Sequence, residues 1–306
     1  MRPCEHHTVG WNFAPTKCAQ RGFSITELLV VIGVIAVLVA LVIPAARMVR
    51  RAAAKTRELT TARMLGQAWT HYATDASGLV LPGFRPGLPA FGPDGTPIPP
   101  ATFSGSGAAI AARWPWRLTP YLGSDVMNLF AGPQREALLR LQSSPERDRF
   151  YYLASLVPSF GLNSAWVGGD SDRLGFLPPT IGGQPNPFHN FYVTRLSQVT
   201  HPERLTLFAS SRMSNDFGND PLGQYFDGTT IEGYFRVDSP WFQARIWAES
   251  YGTDNPASAG NVSARTGGDA VVVTASGATE AVPVQQLDDM RRWADQADRI
   301  DWRLAP

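Results

Sequence analysis

Residues 28–43 read LLVVIGVIAVLVALVI, sixteen positions without a charged or polar side chain. Phe23 and Ile25 ahead of the run and Ala45 and Ala46 behind it extend it toward the roughly 20 residues that cross a bilayer core. A helix on the surface of a soluble domain keeps one face polar, so an all-round apolar run predicts a membrane helix over about 25–46. Beyond Pro44 the pattern changes rather than stops. Leu59, Ala62, Leu65, Trp69 and Tyr72 recur at three- and four-residue steps, one apolar stripe in a segment rich in the helix formers Ala, Arg, Leu and Met. Arg47, Arg51 and Lys55 form a basic stripe, with Glu58 near enough to Lys55 to relieve repulsion. Gly78 is the expected stop. Residues 23–76 are therefore expected as one helix, about 75 Å long from Ser24 to Ala73, apolar then amphipathic, with a kink at Pro44.

The pattern then breaks. Residues 77–110 are rich in Gly and Pro and predict a loop, and residues 111–306 a globular head of short elements. WPWRLTPY at 114–121 leads to a helix around 134–141. RLTLFAS at 204–210 alternates as a strand, with Leu205, Leu207 and Ala209 on one face. DAVVVTASGATEAVPV at 269–284 is a hairpin turning at Ser276-Gly277, followed by a short helix with Leu287, Met290 and Trp293. The expected fold class is α+β, a long N-terminal helix packed on a head with an antiparallel sheet.

Composition narrows the function. Only 17% of the 306 residues are charged and the net charge is +1, which gives no bias toward nucleic acid. Cys4 and Cys18 both precede the apolar run, so the rest of the chain has neither disulfide nor thiolate metal site. The first 22 residues carry Arg2, Lys17 and Arg21 against Glu5, a basic leader of the kind retained in the cytoplasm. The five cations among residues 47–57 argue the other way, so charge alone leaves the topology open. Pro44, Ala45 and Ala46 would suit a secretory-signal cleavage site. Glu27 speaks against that reading: a carboxylate costs about 2.5–3.5 kcal/mol at mid-membrane, and a disposable signal has no use for one.

The run Arg21-Gly22-Phe23-Ser24-Ile25-Thr26-Glu27-Leu28-Leu29-Val30 resembles the cleavage and methylation motif of type IV pilins and type II secretion pseudopilins. The resemblance implies cleavage between Gly22 and Phe23 by a prepilin peptidase and N-methylation of Phe23. It also implies that Glu27, the fifth mature residue, pairs during assembly with the terminal amine of a neighbouring subunit. Leader 1–22 would be lost with both cysteines. The implied partners are the peptidase, an inner-membrane assembly platform and other pilin or pseudopilin subunits. The implied location is a single-pass inner-membrane protein with its head outside the cytoplasm, later in a filament or at the cell surface. SFGLNSAWVGG (159–169), VTHPERLTLFAS (199–210) and the 269–284 hairpin resemble large pilin-like proteins, which turn at Asp-Gly where this chain has Ser276-Gly277.

Nothing in the head reads as catalytic. His71, His189 and His201 fall in no nucleophile, zinc or phosphate-loop motif, and the GGD and SGSG pieces lack the flanking strand and helix of a phosphate loop. Asp216, Asn219, Asp220 and Asp227 in SNDFGNDPLGQYFDG are calcium candidates by ligand type, with an ordinary turn-rich loop as the competing reading. Asp170 and Asp172 are weaker candidates. Trp241, Phe242 and Trp247 are expected in the core. The expected function is thus a structural filament subunit with no enzymatic activity and no cofactor, a minor subunit by the size of its head. The alternative from another class is a membrane-anchored extracytoplasmic enzyme, binding protein or adhesin.

Overall fold

The computed structural model describes residues 24–92, 94–98, 107–123, 125–145, 147–217 and 221–305. The fold is α+β. It begins with one helix, α1 (Ile25–Asp75), which runs through Pro44 without interruption. The chain divides into two compact units, Met1–Val49 and Arg50–Pro306. The described part of the first is helix with every residue exposed, from Leu28 at 57% to Ile43 at 48%.

In the second unit α1 is amphipathic as its spacing predicts. Ala62, Leu65 and Trp69 are buried, and Leu59 and Tyr72 pack partly buried against the same core. The helix stops by chain reversal: Ser77 takes a left-handed φ of 55°, its N–H bonds Thr74 O, and the Gly78 N–H bonds Ala73 O at 2.7 Å. These two bonds satisfy carbonyls that the last turn would leave open. The expected relief of Lys55 by Glu58 gives way to longer-range partners. Glu58 is buried against Arg265, and Lys55 Nζ lies 3.8 Å from Asp269. Burial decides this, because a desolvated carboxylate needs a close guanidinium more than an exposed lysine needs a neighbour.

The strands are β1 (Phe160–Leu162), β2 (Thr180–Ile181), β3 (Gln184–Pro185), β4 (Thr206–Ser210), β5 (Met213–Ser214), β6 (Thr230–Ile231), β7 (Asp269–Thr274) and β8 (Thr279–Pro283). One antiparallel sheet has the order β1-β4-β7-β8, while β2–β3 and β5–β6 are two-stranded ribbons. Both faces of the main sheet are covered. Val271 and Val273 of β7 join a core with Leu65 and Trp69, whereas Ala270 and Val272 join a second core with Leu287, Met290 and Trp293.

Three local expectations are corrected. In β4 the pairing shifts between Thr206 and Phe208, so Leu205, Leu207 and Phe208 all serve the helix-side core and Ala209 the other. One bulged residue reverses the alternation beyond it. The hairpin loop spans Ala275-Ser276-Gly277 rather than two residues, with Gly277 at φ 82° and the Thr274 N–H bonded to Ala278 O. The segment after β8 forms two 3-10 turns, Val284–Leu287 and Met290–Arg292, in place of an α-helix. Asp289 accepts from the Arg291 N–H and so starts the second turn afresh.

Among the described residues, four further α-helices belong to the second unit: α2 (Gly107–Ala112), α3 (Pro115–Leu118), α4 (Gln134–Gln142) and α5 (Arg147–Leu156). Irregular segments tie them to the sheet. Gly168, at φ 77°, lies so close to the chain that an added Cβ would sit 1.9 Å from Leu81 O, which only glycine permits. Asn163, fully buried, donates from Nδ2 to Thr206 O and Trp293 O, joining β1 to the C-terminal turns.

Candidate functional site

The N-terminal turn of α1 carries the chemistry. Ser24 Oγ accepts from the Glu27 backbone N–H at 3.1 Å, and Glu27 Oε2 accepts from the Ser24 N–H at 2.9 Å. This reciprocal pair is a capping box, written in the sequence as Ser-x-x-Glu, and it satisfies two donors the helix start would leave open. Ser24 Oγ also meets Thr26 Oγ1 at 2.9 Å. The Glu27 carboxylate is thereby fixed at the head of the apolar helix, on the N–H of Ser24, the residue that follows Phe23 in the sequence. Gly22 and Phe23 lie outside the described residues. Ser24 is a functional residue beyond the Gly-Phe and Glu positions of the motif, and its three-residue spacing to Glu27 is the sequence signal for it.

Behind this turn every large apolar side chain of residues 25–43 is exposed, with Ile25 at 80% and Leu41 at 67%. Full burial of one such side chain is favourable by about 1.5–3 kcal/mol, so the run leaves tens of kcal/mol to be gained from an apolar environment. The helix is long and apolar enough to cross a membrane.

Farther along α1, within the head, two contacts fix its seat. Glu58 is 5% exposed, accepts from Thr266 Oγ1 and lies 2.7 Å from Arg265 Nη2. Arg265 also donates to Ser159 O and Ser211 O. Gly66 lies over β7, where an added Cβ would be 2.8 Å from Val273 Cγ1.

The remaining sequence candidates lie elsewhere in the second unit. Asp216 and Asp227 are exposed, and Asn219 and Asp220 lie outside the described residues. The loop they share is clamped by Asn215, whose Nδ2 donates to the carbonyls of Gly223, Phe226 and Gly228. No group of three or more potential metal-ligating residues occurs among the described residues. Asp170 and Asp172 meet Arg236 at 3.4 and 3.1 Å, and Asp170 accepts from Ser164 Oγ at 2.7 Å. Burial pushes the Asp170 carboxyl up, against the pull of Arg236. Beside this network Arg117 gives its guanidinium to the carbonyls of Pro82, Ala111 and Ala112, and burial pulls it down to about 10.

His189 bonds Leu177 O through Nδ1, His201 lies against Thr200 and Asp295, and His71 is exposed on α1. Trp247 is buried with its indole N–H on Asp238 O, and Phe242 packs on Trp166 with ring centres 5.3 Å apart. Trp241 is partly buried beside Arg245.

Residues 17–43 match the family described as the prokaryotic N-terminal methylation motif, in agreement with the resemblance to type IV pilin-like proteins. The match covers Gly22, Phe23, the Ser24–Glu27 capping box and the apolar run together. No curated protein and no solved structure matches the chain.

Proposed function

We propose, from an N-terminal methylation motif joined to an exposed apolar helix, that the chain is a precursor cut between Gly22 and Phe23 by a prepilin peptidase. Phe23 is then methylated. The mature protein stays in the inner membrane through residues 25–46, with the head of residues 111–306 on the extracytoplasmic side. It enters a type IV pilus-like or type II secretion filament as a minor structural subunit, and the apolar helices bundle with those of other subunits. Calcium in the loop of Asp216 and Asp227 is a secondary element of the proposal, resting on ligand type alone.

The observation that carries this reading is the placement of Glu27. In the subunit its carboxylate is held by the Ser24 N–H at the head of an apolar helix. In a bundle of such helices it would need a cation, and the new amine at Phe23 is the nearest in sequence. Two opposite charges in an apolar setting hold together only at good geometry, which fixes the register between subunits. The test is N-terminal peptide mass spectrometry on cells with and without prepilin peptidase. A start at N-methyl-Phe23 only with the peptidase is expected. A start at Ala45 or Ala46, or an uncut Met1, would reject the proposal.

A further inference from the structure

An open groove of about 840 Å³ lies in the head between residues 51–58 of α1, the start of α4 and the loop 264–268. Its walls carry five cations against two carboxylates, Glu58 and Glu136. The charges are unevenly partnered. Arg265 is matched to Glu58 at 2.7 Å and Lys55 to Asp269 at 3.8 Å. Arg51, Arg57 and Arg135 are exposed and have no acidic partner among the described residues. The nine-residue α4 starts here behind Pro133, and no side chain caps its first turn. Its positive end adds to the field of the three free guanidiniums. Small apolar side chains, Ala52, Ala54 and Ala131, line the same space.

Guanidiniums beside a helix start favour phosphate oxygens, because they present fixed pairs of N–H donors. The volume is that of a small-ligand cleft. Sequence position selects the source of the phosphate. Arg51 follows the end of the apolar run at Ile43 by eight residues, and residues 47–57 carry Arg47, Arg50, Arg51, Lys55 and Arg57 with no acid among them. A long cationic side chain just beyond a membrane segment reaches back to the headgroup level, where lipid phosphates are the anions within its reach in either leaflet.

We propose that the groove binds the phosphate of an anionic phospholipid headgroup in the membrane that the apolar helix enters. Arg51, Arg57 and Arg135 take the phosphate oxygens, and the small alanines leave room for the glycerol. This holds the head against the bilayer before assembly, and the lipid is left behind on extraction. The inference rests on the membrane-anchored reading above.

The test uses the full chain, one copy per nanodisc, in neutral phosphatidylcholine with and without phosphatidylglycerol. Hydrogen–deuterium exchange is read in peptides covering residues 131–136 and 264–268. Exchange there is expected to slow in the anionic discs, and the effect to weaken about fivefold for each of Arg51→Gln, Arg57→Gln and Arg135→Gln. Unchanged exchange in β7 shows that each variant keeps its fold. Equal exchange in neutral and anionic discs would overturn the proposal. The same slowing in neutral discs on adding inorganic phosphate would also overturn it, in favour of a soluble phosphate. Slowing in neutral discs only at two copies per disc would replace the lipid by a second copy. A chain that does not enter discs at all would reject the membrane reading itself, an outcome distinct from the other three.

Discussion

A carboxylate set into a stripe of alanine, leucine and tryptophan has to be neutralised where it stands, and Glu58 meets Arg265 at 2.7 Å. Removing it leaves Arg265 with Glu232 at 3.5 Å and two carbonyls, a poorer and wetter set of partners. Glu58→Ala is therefore expected to destabilise the head by about 2–4 kcal/mol, toward the lower end of values for broken buried pairs. Glu58→Gln keeps a hydrogen bond to Thr266 and should cost about half as much. Urea unfolding of the detergent-solubilised chain, followed by tryptophan fluorescence, separates the two. Equal losses would mean that the hydrogen bond to Thr266 contributes nothing beyond the charge, and no loss in Glu58→Gln would mean that the charge contributes nothing.

Asp295 works through hydrogen bonds instead. Burial acts to raise its carboxyl, but the Thr200 hydroxyl and the Thr200 and His201 N–H groups outweigh burial and hold it below the ordinary range. A lowered folded-state pKa stabilises above the unfolded value of about 3.9 and loses that contribution as the pH falls through it. Asp295→Asn should cost about 1–2 kcal/mol at neutral pH. The gap from the parent should narrow as the pH falls below the unfolded value and through the lower folded one. A pH-independent gap in unfolding midpoints would contradict this assignment.

At the scale of elements, the packing of α1 on the sheet depends on a missing side chain. Gly66→Ala raises helix propensity by about 1 kcal/mol but puts a Cβ 2.8 Å from Val273 Cγ1, inside a fully buried layer. Overpacking of this kind costs about 1–3 kcal/mol, so the net change should be destabilising, and less so in a Val273→Ala background. Thermal melts of the two singles and the double variant test this, and additive effects would place the strain elsewhere. The elements most legible in the sequence were those whose period was long or whose turn was specific. The stripe from Leu59 to Tyr72 and the 269–284 hairpin both formed. What could not be read depends on partners remote in sequence. The bulge after Thr206 exists because β4 must match β7, and nothing in RLTLFAS marks it. The turns after β8 pack Leu287, Met290 and Trp293 as expected, but Asp289 caps locally and cuts the α-helix short. Glu58 looked like a surface partner for Lys55 because Arg265 lies far along the chain. Ser24 was legible and simply needed the capping rule.

For the molecule as a whole, the apolar run and its lone carboxylate should be separable by experiment. An arginine at the centre of the run costs about 2.5–3.5 kcal/mol of insertion, so Leu38→Arg should shift the chain from the carbonate-resistant membrane fraction toward the soluble one. Glu27 stands at the edge of the run, where Ser24 supplies its partner within one subunit. Glu27→Ala therefore changes insertion little, and in the favourable direction. In a bundle of apolar helices the same change leaves each Phe23 amine without a counter-charge, and an unpaired buried cation costs several kcal/mol. Glu27→Ala is accordingly expected to be cut, methylated and retained in the membrane, yet to fall at least about tenfold in sheared filament fractions, since 1.4 kcal/mol already gives that factor. Glu27→Gln should behave the same way, because it keeps the shape and loses the charge. Normal filament incorporation of both variants would show that register is set by the apolar faces alone.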